Sequence, residues 1–304
     1  AAAVVRPLEL GGIERSMAFL LTSPVAVITF YEGRAPPASY LRARVGHVVS
    51  KNPWLASRLV RHGRRLVASV YDPPRPAATE RCFAECATVP ARLLAPGAPY
   101  AELMHALLHA EPRPLTRAAA FCVGTDETLF KVCLLTSPGA PGRFAVVASM
   151  SHTLGDAYTL YRAWGMLGDG APVERVEASR LPGYASEAEA ALGREESAFM
   201  NSPKTVVSAL RAMVTKPKAF AFRVDGGAVA AAKGAHVPEP GAPFLSTNDV
   251  VTSWLFRASG AHLGLVACNM RGRTRGTEGR AGNYVSALLM RPRDWQTPAG
   301  GRGG

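Results

Sequence analysis

The chain has 304 residues, of which 48% are hydrophobic and 19% are charged. This composition excludes a disordered tail, a collagen-like fibre and a disulfide-stapled mini-protein, and the length suffices for one large or two ordinary domains. Lysine and arginine number 35 against 23 acidic residues, a formal net charge of +12, and only six of the basic residues are lysine. The arginine excess is compatible with an anionic partner such as nucleic acid, a membrane surface or a phosphorylated cofactor, and equally with a general Gly-, Ala- and Arg-rich composition.

Cysteine usage and the longest apolar run bear on the cellular compartment. An odd number of cysteines, scattered through mostly apolar stretches, indicates buried free thiols in a reducing compartment. The run 17–31 is interrupted by Pro24, is too short to span a bilayer and follows Glu9 and Glu14, which a signal peptide would not carry there. We therefore expect a cytoplasmic protein without a membrane span. The cysteines are Cys82, Cys86, Cys122, Cys133 and Cys268.

Short apolar runs alternate with helical patterns along the chain, which predicts a mixed α/β protein. Strands are predicted over 25–31, 66–71, 129–136, 143–150, 219–224, 264–268 and 284–290. Apolar residues at helical spacing predict helices within 41–49, 103–110, 160–167 and 206–213, and a further helix within 186–200. The segment 167–203 is poor in large apolar residues, and we interpret it as a surface crossover between two halves.

The residues that could carry chemistry are concentrated at the end of the predicted strand 143–150. His152 follows this strand, and Asp156 stands four residues later, where a helical pattern begins. A histidine at such a junction, beside Gly155, can be held rigidly, and an imidazole can accept a proton from a hydroxyl or an amine near neutral pH. The alternative is a core histidine with structural hydrogen bonds only. A metal site built on this pair would lack a third ligand at motif spacing.

Four segments, in the same order along the chain, resemble the coenzyme A-dependent acyltransferases. This is the superfamily of chloramphenicol acetyltransferase, of peptide-synthetase condensation domains and of the plant-type BAHD enzymes. The segments are 48–59 with Asn52-Pro53 and Arg58, the motif His152-Thr-Leu-Gly-Asp156, the segment 246–257, and 267–285 with Arg271, Arg273 and Gly282-Asn283.

The resemblance implies two chloramphenicol-acetyltransferase-like lobes, each a mixed β-sheet flanked by helices, with an active-site channel between them. On this basis residues 1–179 form the N-terminal lobe with the His-x-x-x-Asp motif, and residues 180–304 form the crossover and a partial C-terminal lobe. The superfamily's closing Asp-Phe-Gly-Trp-Gly segment is missing, since Arg293-Asp294-Trp295 has a different context and follows Asn283 too soon. We therefore expect the chain to lack the C-terminal part of such an enzyme. A milder departure is Ala157, where the superfamily often has glycine.

The resemblance also implies a division of roles. His152 would be the general base that deprotonates a hydroxyl or amine acceptor as it attacks the thioester of an acyl-coenzyme A. Acyl-coenzyme A would then be a co-substrate, and no permanently bound cofactor and no metal are expected. Asp156 would pair with Arg271 and hold the backbone around the histidine. Contacts with coenzyme A are implied for Ser246, Thr247 and Asn283.

Each of these residues can also be interpreted without the family. Ser246 or Thr247 can be the N-cap of a helix, and Asn283 can be a turn residue that precedes a strand. The arginines of 271–280 lie in a Gly-rich loop, where most such clusters are solvated. A rival hypothesis is therefore a catalytically inactive relative, or a basic protein that binds RNA or another anion through this loop. We expect a monomeric acyltransferase without a nucleic-acid partner, whose acceptor and acyl chain the sequence does not identify.

Overall fold

The structure of the chain is a computed structural model. It describes residues 4–296 except 201, 204, 206, 208–222, 239 and 241. Contacts group the chain into two compact units, Ala1–Pro182 with Gly276–Tyr284, and Gly183–Arg275 with Val285–Gly304. The predicted domains 1–179 and 180–304 stay a prediction, because a compact set of contacts does not by itself define a domain that folds alone.

The first unit contains seven strands and five helices within the described residues. The strands are β1 Val4–Glu9, β2 Val25–Glu32, β3 Arg58–His62, β4 Arg65–Asp72, β5 Phe83–Cys86, β6 Phe130–Leu135 and β7 Arg143–Met150. The helices are α1 Met17–Leu21, α2 Ala38–Lys51, α3 Pro76–Arg81, α4 Tyr100–His109 and α5 Ala157–Gly165. Short 3-10 turns occur at Ile13–Arg15, Pro53–Ala56, Ala91–Leu93 and Ala119–Phe121.

Two sheets organise the first unit. The larger has the order β2-β7-β6-β5, in which β7 is antiparallel to both neighbours and β5 is parallel to β6, so the sheet is mixed. The smaller has the order β1-β4-β3 and is antiparallel. Met150, at the end of β7, is paired with Val25 on one side and with Phe130 on the other. The chain therefore leaves the middle of the larger sheet immediately before His152.

Alternate residues of β7 face two separate parts of the hydrophobic core. Val146 and Met150 pack with apolar residues of α2 and α5, whereas Ala145 and Val147 pack with apolar residues of α4. With helices on both faces of the sheet, β7 has no side that faces water. This explains why the sequence of the strand after Arg143 is an uninterrupted run of apolar and small residues rather than an alternating one.

The second unit contains two strands and five helices within the described residues. The helices are α6 Tyr184–Leu192, α7 Arg194–Met200, α8 Gly226–Gly234, α9 Thr247–Ala258 and α10 Pro292–Trp295. The strands β8 Gly264–Asn269 and β9 Val285–Met290 form an antiparallel pair. The helix predicted within 186–200 is therefore two helices, separated at Gly193, which has a φ of 88°.

Most of the predicted elements are confirmed where the structure describes them. Six of the seven predicted strands are present as β2, β4, β6, β7, β8 and β9. The predicted strand 219–224 and the predicted helix 206–213 lie largely outside the described residues. The sequence does not predict β1, β3 and β5, because β1 contains Pro7, β3 is rich in exposed basic residues and β5 has only four residues. Within the described part of the chain, no helix has the length and apolar character needed to cross a bilayer.

Candidate active site

His152 lies on a tight turn between β7 and α5, as the sequence predicts. Ser151 N donates to Leu129 O at 2.7 Å, and Leu154 N donates to Ser151 O at 2.9 Å. The side chains on either side are fully buried and bind each other, with Ser151 Oγ 2.8 Å from Thr153 Oγ1. His152 itself is half-buried, and it is the one residue from Ser151 to Asp156 that is not buried.

Asp156 is the N-cap of α5 and is 1% exposed. Its Oδ1 accepts hydrogen bonds of 2.9 Å from both the backbone N–H and the hydroxyl of Thr159, and its Oδ2 accepts one of 3.1 Å from Tyr284 N. The carboxylate thereby joins the turn that carries His152 to the segment that precedes β9. The supporting role that the resemblance implies for Asp156 stays a prediction.

The side-chain amide of Asn283 binds the imidazole of His152. Its Nδ2 donates to His152 O at 2.7 Å and to Glu14 Oε1 at 2.9 Å. Because both of these partners are acceptors only, the amide nitrogen must face them and the amide oxygen must face the ring. Asn283 Oδ1 lies 3.2 Å from His152 Nδ1, so this ring nitrogen carries the hydrogen. In the neutral imidazole, the other ring nitrogen, Nε2, then has the lone pair.

Phe19 packs against the same ring. The centroids of the two rings are 4.8 Å apart and their planes form an angle of 64°, an edge contact. Phe19 belongs to α1, whose N-cap Ser16 accepts a hydrogen bond from Phe19 N. Within the described residues His152 Nε2 has no hydrogen-bond partner. The imidazole is therefore held by Asn283 and by its packing against Phe19.

Two charged residues that the sequence does not assign to the site lie behind Asn283. Glu14 and Arg180 form an ion pair of 2.8 Å, in which their side chains are 2% and 10% exposed. Glu14 stands in the 3-10 turn before α1, and Arg180 stands in the predicted crossover. The only sequence signal for Glu14 is an acidic residue next to an apolar run. No local pattern distinguishes Arg180 from the many other arginines of the chain.

The remaining predicted site residues, Ser246, Thr247 and Arg271, belong to the second unit. Ser246 Oγ accepts from Asp249 N at 3.1 Å, and Asp249 Oδ2 accepts from Ser246 N at 2.7 Å. The N-cap prediction is thereby confirmed, in the form of a capping box. Arg271 is 9% exposed and donates through its backbone N and its Nη1 to Asn269 Oδ1, at 3.1 and 3.2 Å. Its pairing with Asp156 stays a prediction, as do the contacts of Ser246, Thr247 and Asn283 with coenzyme A.

No protein-family model matches this chain, and no curated protein matches it. Solved structures do match, and they define the class of fold. The chain has sheets flanked by helices, and it matches the chloramphenicol-acetyltransferase-like fold of condensation domains and of TRI101 over nearly its whole length. The mixed α/β fold of this class, as predicted from the resemblance, is thus confirmed, and the channel between two lobes stays a prediction.

Three of these structures show the extent of the similarity. The first condensation domain of the calcium-dependent antibiotic synthetase, bound to a substrate analogue, has 15% identity and a TM-score of 0.53, over 96% of this chain and 70% of that chain. TRI101 of F. sporotrichioides, complexed with coenzyme A and T-2, has 13% identity and a TM-score of 0.53, over 98% and 70%. TRI101 of F. graminearum, complexed with ethyl coenzyme A, has 11% identity and a TM-score of 0.55, over 98% and 72%.

Proposed function

We propose that this protein transfers an acyl group from an acyl-coenzyme A thioester to the hydroxyl or amine of a small acceptor, with His152 as the general base. The observation that carries this proposal is the state of the imidazole. In the neutral ring, Asn283 Oδ1 holds the hydrogen on Nδ1 and leaves the lone pair on Nε2, and His152 is the one residue from Ser151 to Asp156 that is not buried. The similarity to TRI101, whose structures contain coenzyme A, supports a coenzyme A thioester as the acyl donor.

The proposed step needs one base and no covalent acyl-enzyme. His152 Nε2 takes the proton of the acceptor while the acceptor oxygen or nitrogen forms a bond with the thioester carbonyl carbon. The resulting tetrahedral intermediate collapses, the carbon–sulfur bond breaks, and the proton on Nε2 passes to the sulfur of coenzyme A. The imidazole returns to its starting state, so no further co-reactant is required.

The other predicted residues support this step in the proposal. Asp156 fixes the backbone of the turn, and its expected pairing with Arg271 would add to that support. Ser246, Thr247 and Asn283 are the proposed contacts with coenzyme A. The channel between two lobes, the monomeric state and the cytoplasmic location expected from the sequence remain parts of the same proposal.

A direct test compares the wild-type protein with His152→Ala. Each is incubated with acetyl-coenzyme A and a panel of small alcohols and amines, and free coenzyme A is separated by chromatography, because the partly exposed Cys268 would react with a thiol reagent. We expect the rate to fall roughly 100-fold or more in His152→Ala. His62→Ala, which changes an exposed histidine of β3, is the matched control and should retain the wild-type rate. An unchanged rate in folded His152→Ala would exclude His152 as the base.

The rival function is binding of RNA or another anion, which the net charge of +12 favours. Two arginines of the loop 271–280 already bind backbone oxygens: Arg273 Nη1 donates to Asn269 O at 3.0 Å, and Arg280 Nε donates to Gly276 O at 2.9 Å. We therefore expect weak RNA binding. Titration with a single-stranded RNA at several salt concentrations tests this. Tight binding with a steep salt dependence, together with no binding of coenzyme A, would favour the rival.

A further inference from the structure

We infer that Glu14 and Arg180 are positioning residues, which act through Asn283 to fix the hydrogen of His152 on Nδ1. For its catalytic consequence this inference rests on the proposed function. The ion pair of Glu14 and Arg180 is buried and does not contact the imidazole. In the proposed reaction it does not contact the substrate either. The structural part of the inference concerns the tautomer of one histidine and can be measured without any substrate.

The carboxylate of Glu14 holds Asn283 at two points. Its Oε1 accepts from the backbone N of Asn283 at 3.1 Å and from the side-chain Nδ2 at 2.9 Å. Its Oε2 accepts from Gly11 N at 2.7 Å, which fixes the carboxylate within its own turn. Since both the main chain and the side chain of Asn283 bind one oxygen atom, the amide has little freedom to rotate.

Arg180 compensates the buried charge of Glu14 and connects it to the rest of the site. Arg180 Nε donates to both carboxylate oxygens, at 2.9 and 2.8 Å. Its Nη2 donates to Leu154 O at 2.9 Å, and its Nη1 donates to Ala281 O at 3.3 Å. One guanidinium therefore binds the turn that carries His152 and the segment that carries Asn283. A lysine, with its single ammonium group, could not make this set of contacts.

The tautomer follows from the orientation of the amide. With Glu14 in place, turning the amide by 180° would direct Asn283 Oδ1 at two acceptors, Glu14 Oε1 and His152 O, and both contacts would be repulsive. Without the carboxylate, only His152 O opposes that rotation. The turned amide would donate to Nδ1, and the ring hydrogen would move to Nε2. Such an imidazole has no lone pair on the nitrogen that faces the proposed substrate.

The experiment is ¹⁵N NMR of the full chain with labelled histidine, at a pH at which the imidazole is neutral. The ring nitrogens of His152 are assigned by their loss in His152→Ala. We expect the Nδ1–H form as the major species in the wild type, and a larger share of the Nε2–H form in Glu14→Leu, whose side chain has no acceptor for the amide of Asn283. Glu9→Leu, which changes an exposed glutamate of β1, is the matched control and should leave the tautomer unchanged. A wild-type His152 in the Nε2–H form would overturn the inference.

Glu14→Leu leaves Arg180 without a counter-charge and could fail to fold, so Glu14→Asp serves as a second variant. It retains the charge beside Arg180 but shortens the side chain by one methylene, which withdraws the carboxylate from Asn283. We expect the same change of tautomer, together with a rate at least 10-fold lower at an unchanged KM for acetyl-coenzyme A. A folded Glu14→Asp with the wild-type tautomer would refute the role of Glu14. Because NMR needs no substrate, an inactive wild-type protein would contradict the proposed function and leave this result intact.

Discussion

Asn283 binds the imidazole of His152 across 131 residues of sequence, at 3.2 Å between Oδ1 and Nδ1. The contact joins the turn after β7 to the segment before β9, and it belongs entirely to the first unit. Behind it lie the buried carboxylate of Glu14 and the guanidinium of Arg180. The state of the proposed base is therefore set by groups from three distant parts of the chain, and the following predictions test how strongly each one is needed.

Asp156→Ala should destabilise the protein by about 2–4 kcal/mol, because it removes a helix cap and the buried hydrogen bond that Tyr284 N donates to Asp156 Oδ2. The matched control is Asp225→Ala, which removes the N-cap aspartate of α8 at an exposed position, where Asp225 Oδ1 accepts from Gly227 N. That change should cost only about 1 kcal/mol. Urea unfolding followed by circular dichroism measures both values. Equal losses would show that the bond to Tyr284 contributes nothing.

Arg180→Met should cost about 3–5 kcal/mol, since it leaves the carboxylate of Glu14 buried and without its ion-pair partner. Arg92→Met breaks the exposed ion pair with Glu102, in which the two side chains are 65% and 48% exposed. Such a pair contributes about 0–1 kcal/mol, so this variant is the control. The free energies of unfolding of the two variants are compared under the same conditions. A small effect in Arg180→Met would mean that water replaces the guanidinium, contrary to the burial of the pair.

Gly282→Ala should destabilise the protein and alter the environment of His152. Gly282 has a φ of 133°, which L-residues rarely adopt, and a Cβ there would lie 3.0 Å from Arg180 Cζ. We expect a loss of about 1–3 kcal/mol from the backbone strain, and more from the displaced guanidinium. Gly63→Ala is the control, because its φ of 62° is also positive but a Cβ would have nothing within 4 Å. Only Gly282→Ala should shift the ¹⁵N signals of His152; a shift in both variants would contradict the local explanation.

Burial raises the pKa of the Cys82 thiol to about 11, and it is also the largest cause of the rise at Cys133, to about 12. Both groups therefore stay protonated at pH 8, and both are buried, so neither should react with iodoacetamide in the native protein. Cys268 is partly exposed, so it should be alkylated first. Mass spectrometry of peptides from native and urea-unfolded protein checks this order. Rapid native alkylation of Cys133 would show that the core of the larger sheet opens readily.

The raised pKa values of Cys82 and Cys133 also predict how the free energy of unfolding depends on pH. A group whose pKa is higher in the folded than in the unfolded state makes its full contribution to the free energy of unfolding at a pH below its unfolded pKa, which is near 8.5 for a cysteine thiol. That contribution is lost as pH rises through the folded values of about 11 and 12. The free energy of unfolding should therefore fall progressively above about pH 9. Urea unfolding at pH 8, 9 and 10 measures how the free energy of unfolding changes with pH. A stability that rose over this range would contradict the raised pKa values of the two thiols.

Local patterns in the sequence predict a large part of this protein. The apolar run of β7 predicts a buried strand, and His152 and Asp156 at its end predict a strand-to-helix junction with an aspartate at the helix start. Ser246 before an acidic first turn predicts a capped helix. These features depend on neighbours within a few residues, so periodicity and capping rules suffice to find them. The strands β1, β3 and β5 are shorter or more polar and lack such a pattern. They form because they pair with neighbouring strands in a sheet.

The sequence by itself determined the type of fold and the position of His152, the proposed base, at the end of a buried strand. Only the tertiary structure decided which groups control that histidine, since Glu14, Arg180 and Asn283 meet across separations of up to 269 residues. Glu14 looks like an ordinary acidic residue before an apolar run, and Arg180 is one of many arginines. Periodicity indicates that a residue is buried or exposed, but it does not identify the partner of a buried charge. That partner is determined by how distant segments pack, because a buried carboxylate is tolerated only where packing brings a cation and hydrogen-bond donors to it.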